Sequence, residues 1–204
     1  SFPPDLARGA TLYAEQCSVC HGVTGRADGP GAEGLDPPAI AFADVERARQ
    51  RSVFGLYQVI DQGLEGTAMA SFAHLPAEDR WALAFYVGRF AFTDAEAAEG
   101  RRLWESDPAI RAVFPDLAAL TQATPAELAT RIGETKARAV TAYLRRHPEA
   151  TVRAEGSTLS LARTRLAESE AAYRRGDRRA ATDLALSAYL DGVEPMEPAL
   201  GARD

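Results

Sequence analysis

Cys17-Ser18-Val19-Cys20-His21 brings both cysteines of the chain into one pentapeptide. The pattern is C-x-x-C-H, which random placement of these residues would produce on the order of 3 × 10⁻⁴ times in such a chain, and it reads as a c-type haem attachment site. Two thiols three residues apart on one helical turn can reach the two vinyl groups on one edge of a porphyrin. His21 then sits under the iron as proximal ligand, and the thioether bonds make the attachment permanent. Three other readings use the same residues. A redox dithiol wants a βαβ context, and no strand-like alternation flanks the segment. Tetrahedral zinc wants a fourth ligand and some slack between Cys20 and His21, which are adjacent. A Cys17–Cys20 disulfide is sterically poor at that separation and leaves His21 without a role.

The distal ligand must come from elsewhere. Two methionines, Met69 and Met196, and two further histidines, His74 and His147, are the candidates. Met69 has the best setting, because Gly66-Thr67-Ala68-Met69-Ala70-Ser71-Phe72 is a run of small residues able to lie flat over an open haem face. His74, five residues on, is an alternative ligand, and Met69 as an ordinary core filler is a third reading. Met196 is remote and flanked by prolines. A thioether ligand would raise the reduction potential relative to a bis-histidine haem.

Outward from the motif, the pattern is helical. Leu6, Ala10, Tyr13 and Ala14 recur at helical spacing and predict a first helix ending at Cys17, with Gly9 allowing close approach of a partner. That partner is predicted from Pro76 to about Phe92, carrying Trp81, Phe85, Tyr86 and Phe90 as core aromatics. Residues 22–43 are rich in Gly and Pro, and a proline carbonyl there is expected to accept the free N–H of His21. A further helix is expected from about Ser52 to Gly63.

Residues 1 to about 92 resemble a small class I cytochrome c. The resemblance rests on Gly9, Tyr13, Cys17 to Gly22, Gly29-Pro30, Leu35 with Pro37-Pro38, Met69, and Trp81 to Val87. It implies an all-α fold around one covalent haem c, His21 and Met69 as axial ligands of the haem iron, and a haem edge near solvent for exchange with a redox partner. A haem c also implies an extracytoplasmic, periplasmic location. Ser1-Phe2-Pro3-Pro4 shows no basic and apolar leader, so the chain is expected to be a mature or trimmed region of a longer protein.

The chain has 204 residues, 46% hydrophobic and 25% charged, with a net charge of −6 and a mean hydropathy of −0.22, a composition able to bury a core. The longest stretch free of Asp, Glu, Lys and Arg, Gly66 to Ala77, is too short and polar to span a bilayer. No Lys/Arg cluster is free of carboxylates, so nucleic acid is not an expected partner.

From Thr93 the signals remain helical but carry no cofactor motif. Thr93-Asp94-Ala95-Glu96 and Thr124-Pro125-Ala126-Glu127 fit the capping box, in which hydroxyl and carboxylate satisfy each other's first-turn amides. Asp107-Pro108 opens a short helix, and Arg145-Arg146-His147-Pro148 closes the helix begun at Pro125. Thr151 to Gly156 reads as a linker. Beyond it Leu159, Leu166 and Tyr173 recur every seven, and Gly176-Asp177 turns the chain into a second helix with Ala181, Leu184, Ala185, Ala188 and Tyr189. The predicted division is 1–92, a monohaem cytochrome domain; 93–150, a helical connecting region; and 151–204, a helical hairpin.

That hairpin is similar to half of a tetratricopeptide array, although no second copy follows at the required period. It more specifically resembles the pre-membrane region of ferroxidase-type ferric iron permeases. The residues carrying this are Ala171-Ala172-Tyr173, Gly176-Asp177, Ala180-Ala181, and Ala188-Tyr189-Leu190-Asp191-Gly192-Val193-Glu194-Pro195-Met196-Glu197-Pro198-Ala199-Leu200. Bacterial members of that family carry a cytochrome c domain ahead of the permease, in the order found here. The resemblance implies an iron permease membrane domain as partner in the same full-length chain, tethering to the inner membrane, and Fe(II)/Fe(III) as substrate. Asp191, Glu194 and Glu197 then become candidate non-haem iron ligands, against a plainer role as solvated carboxylates at a helix end. The expected function is electron transfer from Fe(II) to the haem in support of iron uptake. The alternative is a respiratory or photosynthetic electron carrier with a helical docking domain. Oxygenase or peroxidase chemistry would need a vacant axial position, which methionine ligation removes.

Overall fold

In the computed structural model residues 3–194 are described, and for 153–160 the backbone alone. All regular structure among them is helical. Helices α1 (Leu6–Gln16) and α2 (Ser18–His21) are joined at Cys17; α3 (Val45–Arg49), α4 (Val53–Gln62) and α5 (Ala77–Val87) follow. Then come α6 (Asp94–Ser106), α7 (Pro108–Val113), α8 (Leu117–Gln122), α9 (Pro125–Ile132) and α10 (Glu134–Arg146). Last are α11 (Glu149–Arg174), α12 (Arg178–Ser187) and a π-helical turn, Ala188–Val193. The chain divides into two compact units, one up to Thr151 and one from Val152.

Side-chain caps set the helix starts. Asp5 accepts from the amides of Ala7 and Arg8, Ser52 from Gly55, and Asp177 from Ala180. Both capping boxes form, at Thr93/Glu96 and Thr124/Glu127. The partner helix stops at Val87, short of the predicted Phe92. The helix expected from Pro125 to Arg146 is two helices. Gly133, at φ 84°, breaks it and lets α10 start afresh. The expected linker Thr151 to Gly156 is helical, part of α11.

One core fills the first unit. Leu12, Tyr13, Val53, Phe85, Val140 and Leu144 are buried in a single cluster, so residues from both sides of Thr93 share it. Within this unit the same crossing occurs twice. At the first, α1 meets α5: a Cβ on Gly9 would lie 2.4 Å from the Ala82 carbonyl oxygen and 3.1 Å from Tyr86 Cβ. At the second, α6 meets α10: a Cβ on Gly100 would lie 1.9 Å from the Ala139 carbonyl oxygen and 2.9 Å from Tyr143 Cβ. In both, glycine admits a facing backbone at distances no other residue allows.

The second unit is a helical hairpin turned at Gly176, φ 85°. It closes on small residues: Ala162, Ala172 and Ala181 are buried, and Ser169 Oγ donates to the Ala181 carbonyl at 2.7 Å. Leu166 and Tyr173, two members of the predicted seven-residue repeat, are instead 53% and 63% exposed. Close helix approach selects alanine, and the large side chains are left on the outer face.

Candidate haem site

Cys17 ends α1 and begins α2. Its amide donates to the Tyr13 carbonyl at 3.0 Å, and its own carbonyl receives the amides of Cys20 and His21 at 3.2 and 2.9 Å. That turn sets two thiols and an imidazole side by side. Both thiols are free and half-buried, so no disulfide competes for them. Burial, with a smaller contribution from Cys20, pushes the Cys17 thiol up to about 11.

The following loop wraps back under this turn. Ala27 N donates to the His21 carbonyl at 2.8 Å, and Gly31 N to that of Val19 at 2.7 Å. The loop then delivers the Ile40 carbonyl to His21 Nδ1 at 2.8 Å. A carbonyl only accepts, so Nδ1 carries the hydrogen and Nε2 keeps its lone pair. Burial pushes the imidazolium of His21 below its ordinary range, against the opposing pull of the Ile40 carbonyl, which keeps the ring neutral as a metal ligand requires. Phe42 stacks on the same ring at 4.4 Å between centroids. The acceptor is therefore Ile40, two residues past Pro38, and not a proline carbonyl as the sequence suggests.

Behind His21 stands an aromatic wall from α1, the loop and the α5 end. Tyr13 lies 5.3 Å from Tyr86 and 5.0 Å from Phe90. Its buried hydroxyl donates to the Gly22 carbonyl at 2.6 Å, fixing the chain directly after the histidine, and burial pushes its pKa up. Trp81, expected as plain core, is half-buried and stacks on Tyr57 at 4.2 Å.

Met69 is half-buried in the loop that links α4 to α5. The loop is tied at several points. Met69 N donates to Thr67 Oγ1 at 3.0 Å, Leu64 N to the Met69 carbonyl at 3.0 Å, and Thr67 Oγ1 to the Leu64 carbonyl at 2.8 Å. Ser71 Oγ donates to the Asp61 carbonyl at 2.6 Å, pinning the loop to the end of α4. His74 is exposed, its ring 5.9 Å from that of Phe72. His147 lies with Glu149 Oε1 at 3.0 Å from its Nδ1.

Of the candidate iron carboxylates, Asp191 and Glu194 fall in the second unit. Asp191 is exposed and accepts from Ser187 Oγ at 2.8 Å, and Glu194 is exposed. Glu197 and Met196 lie outside the described residues. Among the described residues, no three His, Cys, Asp or Glu side chains group as a metal site requires.

Two thiols on one turn, beside an imidazole whose Nδ1 hydrogen is already engaged, suit a covalent haem and define a c-type cytochrome domain. Residues 4–87 match the family model described as cytochrome c oxidase, cbb3-type, subunit III, and this segment is a cytochrome c domain. Such a domain transfers electrons through a covalently bound haem c, and domains of this class are typically extracytoplasmic. No curated protein and no solved structure matches the chain. No helix among the described residues is long and apolar enough to cross a membrane.

Residue types could not reveal the Ile40 carbonyl, since any residue offers one. The stacking of Phe42 on His21 was open to inference only as an aromatic inside a Gly/Pro-rich loop.

Proposed function

We propose that this chain is an extracytoplasmic one-electron module in which Cys17 and Cys20 hold the haem and His21 and Met69 ligate its iron. The observation that carries this reading is the Ile40 carbonyl on His21 Nδ1, which leaves Nε2 free for iron. The bound haem supplies a ferric–ferrous couple. The protein's part is to hold His21 neutral and oriented, to tie the Met69 loop down through Thr67 and Ser71, and to keep water from the Tyr13, Tyr86 and Phe90 side of the site. A sixth ligand from Met69 also leaves no position for an oxygen substrate.

The electron donor we infer is Fe(II), which loses one electron and leaves as Fe(III) for an iron permease domain in the same longer, inner-membrane protein. Support comes from the C-terminal resemblance and from the carboxylates Asp191, Glu194 and Glu197, hard ligands suited to iron as substrate. A second reading, a carrier delivering electrons to a terminal oxidase, is favoured by the description of the matching family.

One experiment separates them. Oxidised haem protein is mixed with Fe(II) without oxygen, and the ferrous haem bands are followed against iron concentration in wild type and in Glu194→Ala/Glu197→Ala. Saturable reduction lost in the double variant supports the iron reading. Slow, unsaturable reduction unchanged by the substitutions leaves the carrier reading standing.

A further inference from the structure

Residues 93–150 repeat the helical frame of the haem half without its ligands. A long first helix (α1 or α6) is followed by two short ones, by a helix ending at a positive-φ glycine (α4 at Gly63, α9 at Gly133), and by the crossing helix (α5 or α10). Gly9 and Ala82 lie 73 positions apart, and Gly100 and Ala139 only 39. The second copy lacks both the Cys-containing turn and the methionine-bearing loop. Gly133 alone joins α9 to α10, where fourteen residues, Gly63 to Pro76, join α4 to α5.

The second copy is fastened to the first by arginines of α10. Arg138 donates to the Ala91 carbonyl at 3.3 Å, and Arg146 to that of Phe92 at 2.6 Å. Arg145 differs from both. It is 2% exposed, donates to the Gly88 carbonyl at 2.9 Å and to the Arg51 carbonyl at 2.5 Å, and lies 5.4 Å from the centre of the Phe92 ring. Among the described residues it forms no ion pair. Burial lowers its pKa to about 10, which still leaves it charged at neutral pH. A buried cation of this kind is costly unless its donors find acceptors, and here each terminal guanidinium nitrogen donates to one backbone carbonyl.

Those two carbonyls stand at the ends of α4 and α5 remote from the Gly63–Pro76 loop, so Arg145 acts on the loop only through the setting of the two helices. Arg51 immediately precedes Ser52, the cap of α4, and Gly88 is the cap at the end of α5. Leu56 of α4 and the Arg145 stem also close on Gly88, within 3.3 and 3.4 Å of where its Cβ would stand. Helices α4 and α5 are the two posts from which the Gly63–Pro76 loop is hung. We propose that Arg145 is a positioning residue, supplied by the haem-free copy, that fixes α4 against α5 and thereby holds the loop carrying Met69. This rests on the assignment of Met69 as the distal ligand. The planar guanidinium spans two acceptors at fixed separation, a task that the single ammonium of lysine performs only in part.

The test uses the full haem-loaded chain with Arg145→Met, Arg145→Lys and, as control, Arg146→Gln, whose carbonyl partners include none from α4. Amide hydrogen exchange of residues 64–75 is compared with the methionine-to-iron charge-transfer band and with far-UV circular dichroism on heating. In Arg145→Met, exchange in the loop rises about tenfold and the band is lost while the helices remain folded. Arg145→Lys falls between, and Arg146→Gln matches wild type. The proposal is overturned if loop exchange in Arg145→Met stays native, or if it rises only together with exchange across the whole helical core. Should Arg145→Met fail to fold, Arg145→Lys against Arg146→Gln decides by the same criteria. Absence of the band from the wild type itself would sink the Met69 assignment, and loop exchange would then decide the Arg145 proposal alone.

Discussion

The α1/α5 and α6/α10 crossings solve one packing problem with the same residues and then diverge in what they are used for. Gly9 faces Ala82 and Tyr86, and Gly100 faces Ala139 and Tyr143, with the same four-residue spacing on the partner helix. Four residues past each glycine comes a large aromatic, Tyr13 in one and Trp104 in the other. Tyr13 turns its hydroxyl to the Gly22 carbonyl beside the histidine, whereas Trp104 packs with Phe114 at 6.4 Å between centroids. The frame is thus independent of the cofactor. Apolar side chains such as Ile110, Phe114, Leu120 and Leu128 fill the second copy, where the first is built around a haem-bearing turn.

The largest expected effect comes from making the first crossing as haem-free as the second. Cys17→Ser/Cys20→Ser should lose all covalent haem, measured as haem remaining with the chain after denaturation. Retention of covalent haem would overturn the attachment assignment.

The next effect tests whether the two crossings are tuned alike. Gly100→Ala places a methyl against backbone at the shorter distance, and should cost about 3 kcal/mol in denaturant unfolding, against about 2 kcal/mol for Gly9→Ala. The ordinary gain in helix propensity from Gly to Ala, about 1 kcal/mol, opposes both. Only Gly9→Ala should also disturb the haem spectrum, because α1 ends at Cys17. A neutral Gly100→Ala would show that the tight second crossing is not required.

Tyr13→Phe isolates the use that the first crossing makes of its aromatic. Removing the hydroxyl leaves a buried Gly22 carbonyl without its partner and should cost about 1 to 2 kcal/mol, read by denaturant unfolding. Trp104→Phe, which breaks no bond to the site, should leave the haem spectrum unchanged.

How much of this was open to reading depends on where the information sits. The C-x-x-C-H turn, the two capping boxes and the glycine of the first crossing are written in residue identity and short spacing, and each is found where expected. The split at Gly133 has no local signal, because Pro125 to Arg146 is helix-favouring on both sides and only the backbone turn at one glycine interrupts it. The second crossing was invisible for another reason. Gly100 and Ala139 are ordinary helix residues in sequence, and their meeting depends on the path of the chain between them. In sequence Arg145 reads as one of the basic residues that close a helix, since such a residue there suits the carbonyl dipoles. Its burial against α4 and α5 follows from tertiary packing that no local pattern records.

The smallest effect concerns charge, where the two crossings are mirror images. In the first, Arg8 of α1 donates to Asp79 of α5 at 2.7 and 3.1 Å; in the second, Glu96 of α6 accepts from Arg138 of α10 at 2.8 Å. The Arg8 hydrogen bond holds the Asp79 carboxyl below its ordinary range. Burial of Glu96 works the other way, but Arg138 and Thr93 together outweigh it and hold that carboxyl low as well. A carboxyl lowered in the folded state adds stability above its unfolded pKa, and that stability is lost as pH falls through the folded value. Stability should therefore decline below about pH 4.5, and both Asp79→Asn and Glu96→Gln should flatten that decline. Arg138 and Glu96 are 22% and 28% exposed at the side chain, whereas Asp79 is 12% and Arg8 46% exposed, so solvent reaches the Arg8–Asp79 pair chiefly through its arginine. Glu96→Gln should cost about 1 kcal/mol at neutral pH and Asp79→Asn less. Equal acid sensitivity in wild type and both variants would show that neither pair is coupled to folding, and that the helix crossings are held by their apolar and glycine contacts without them.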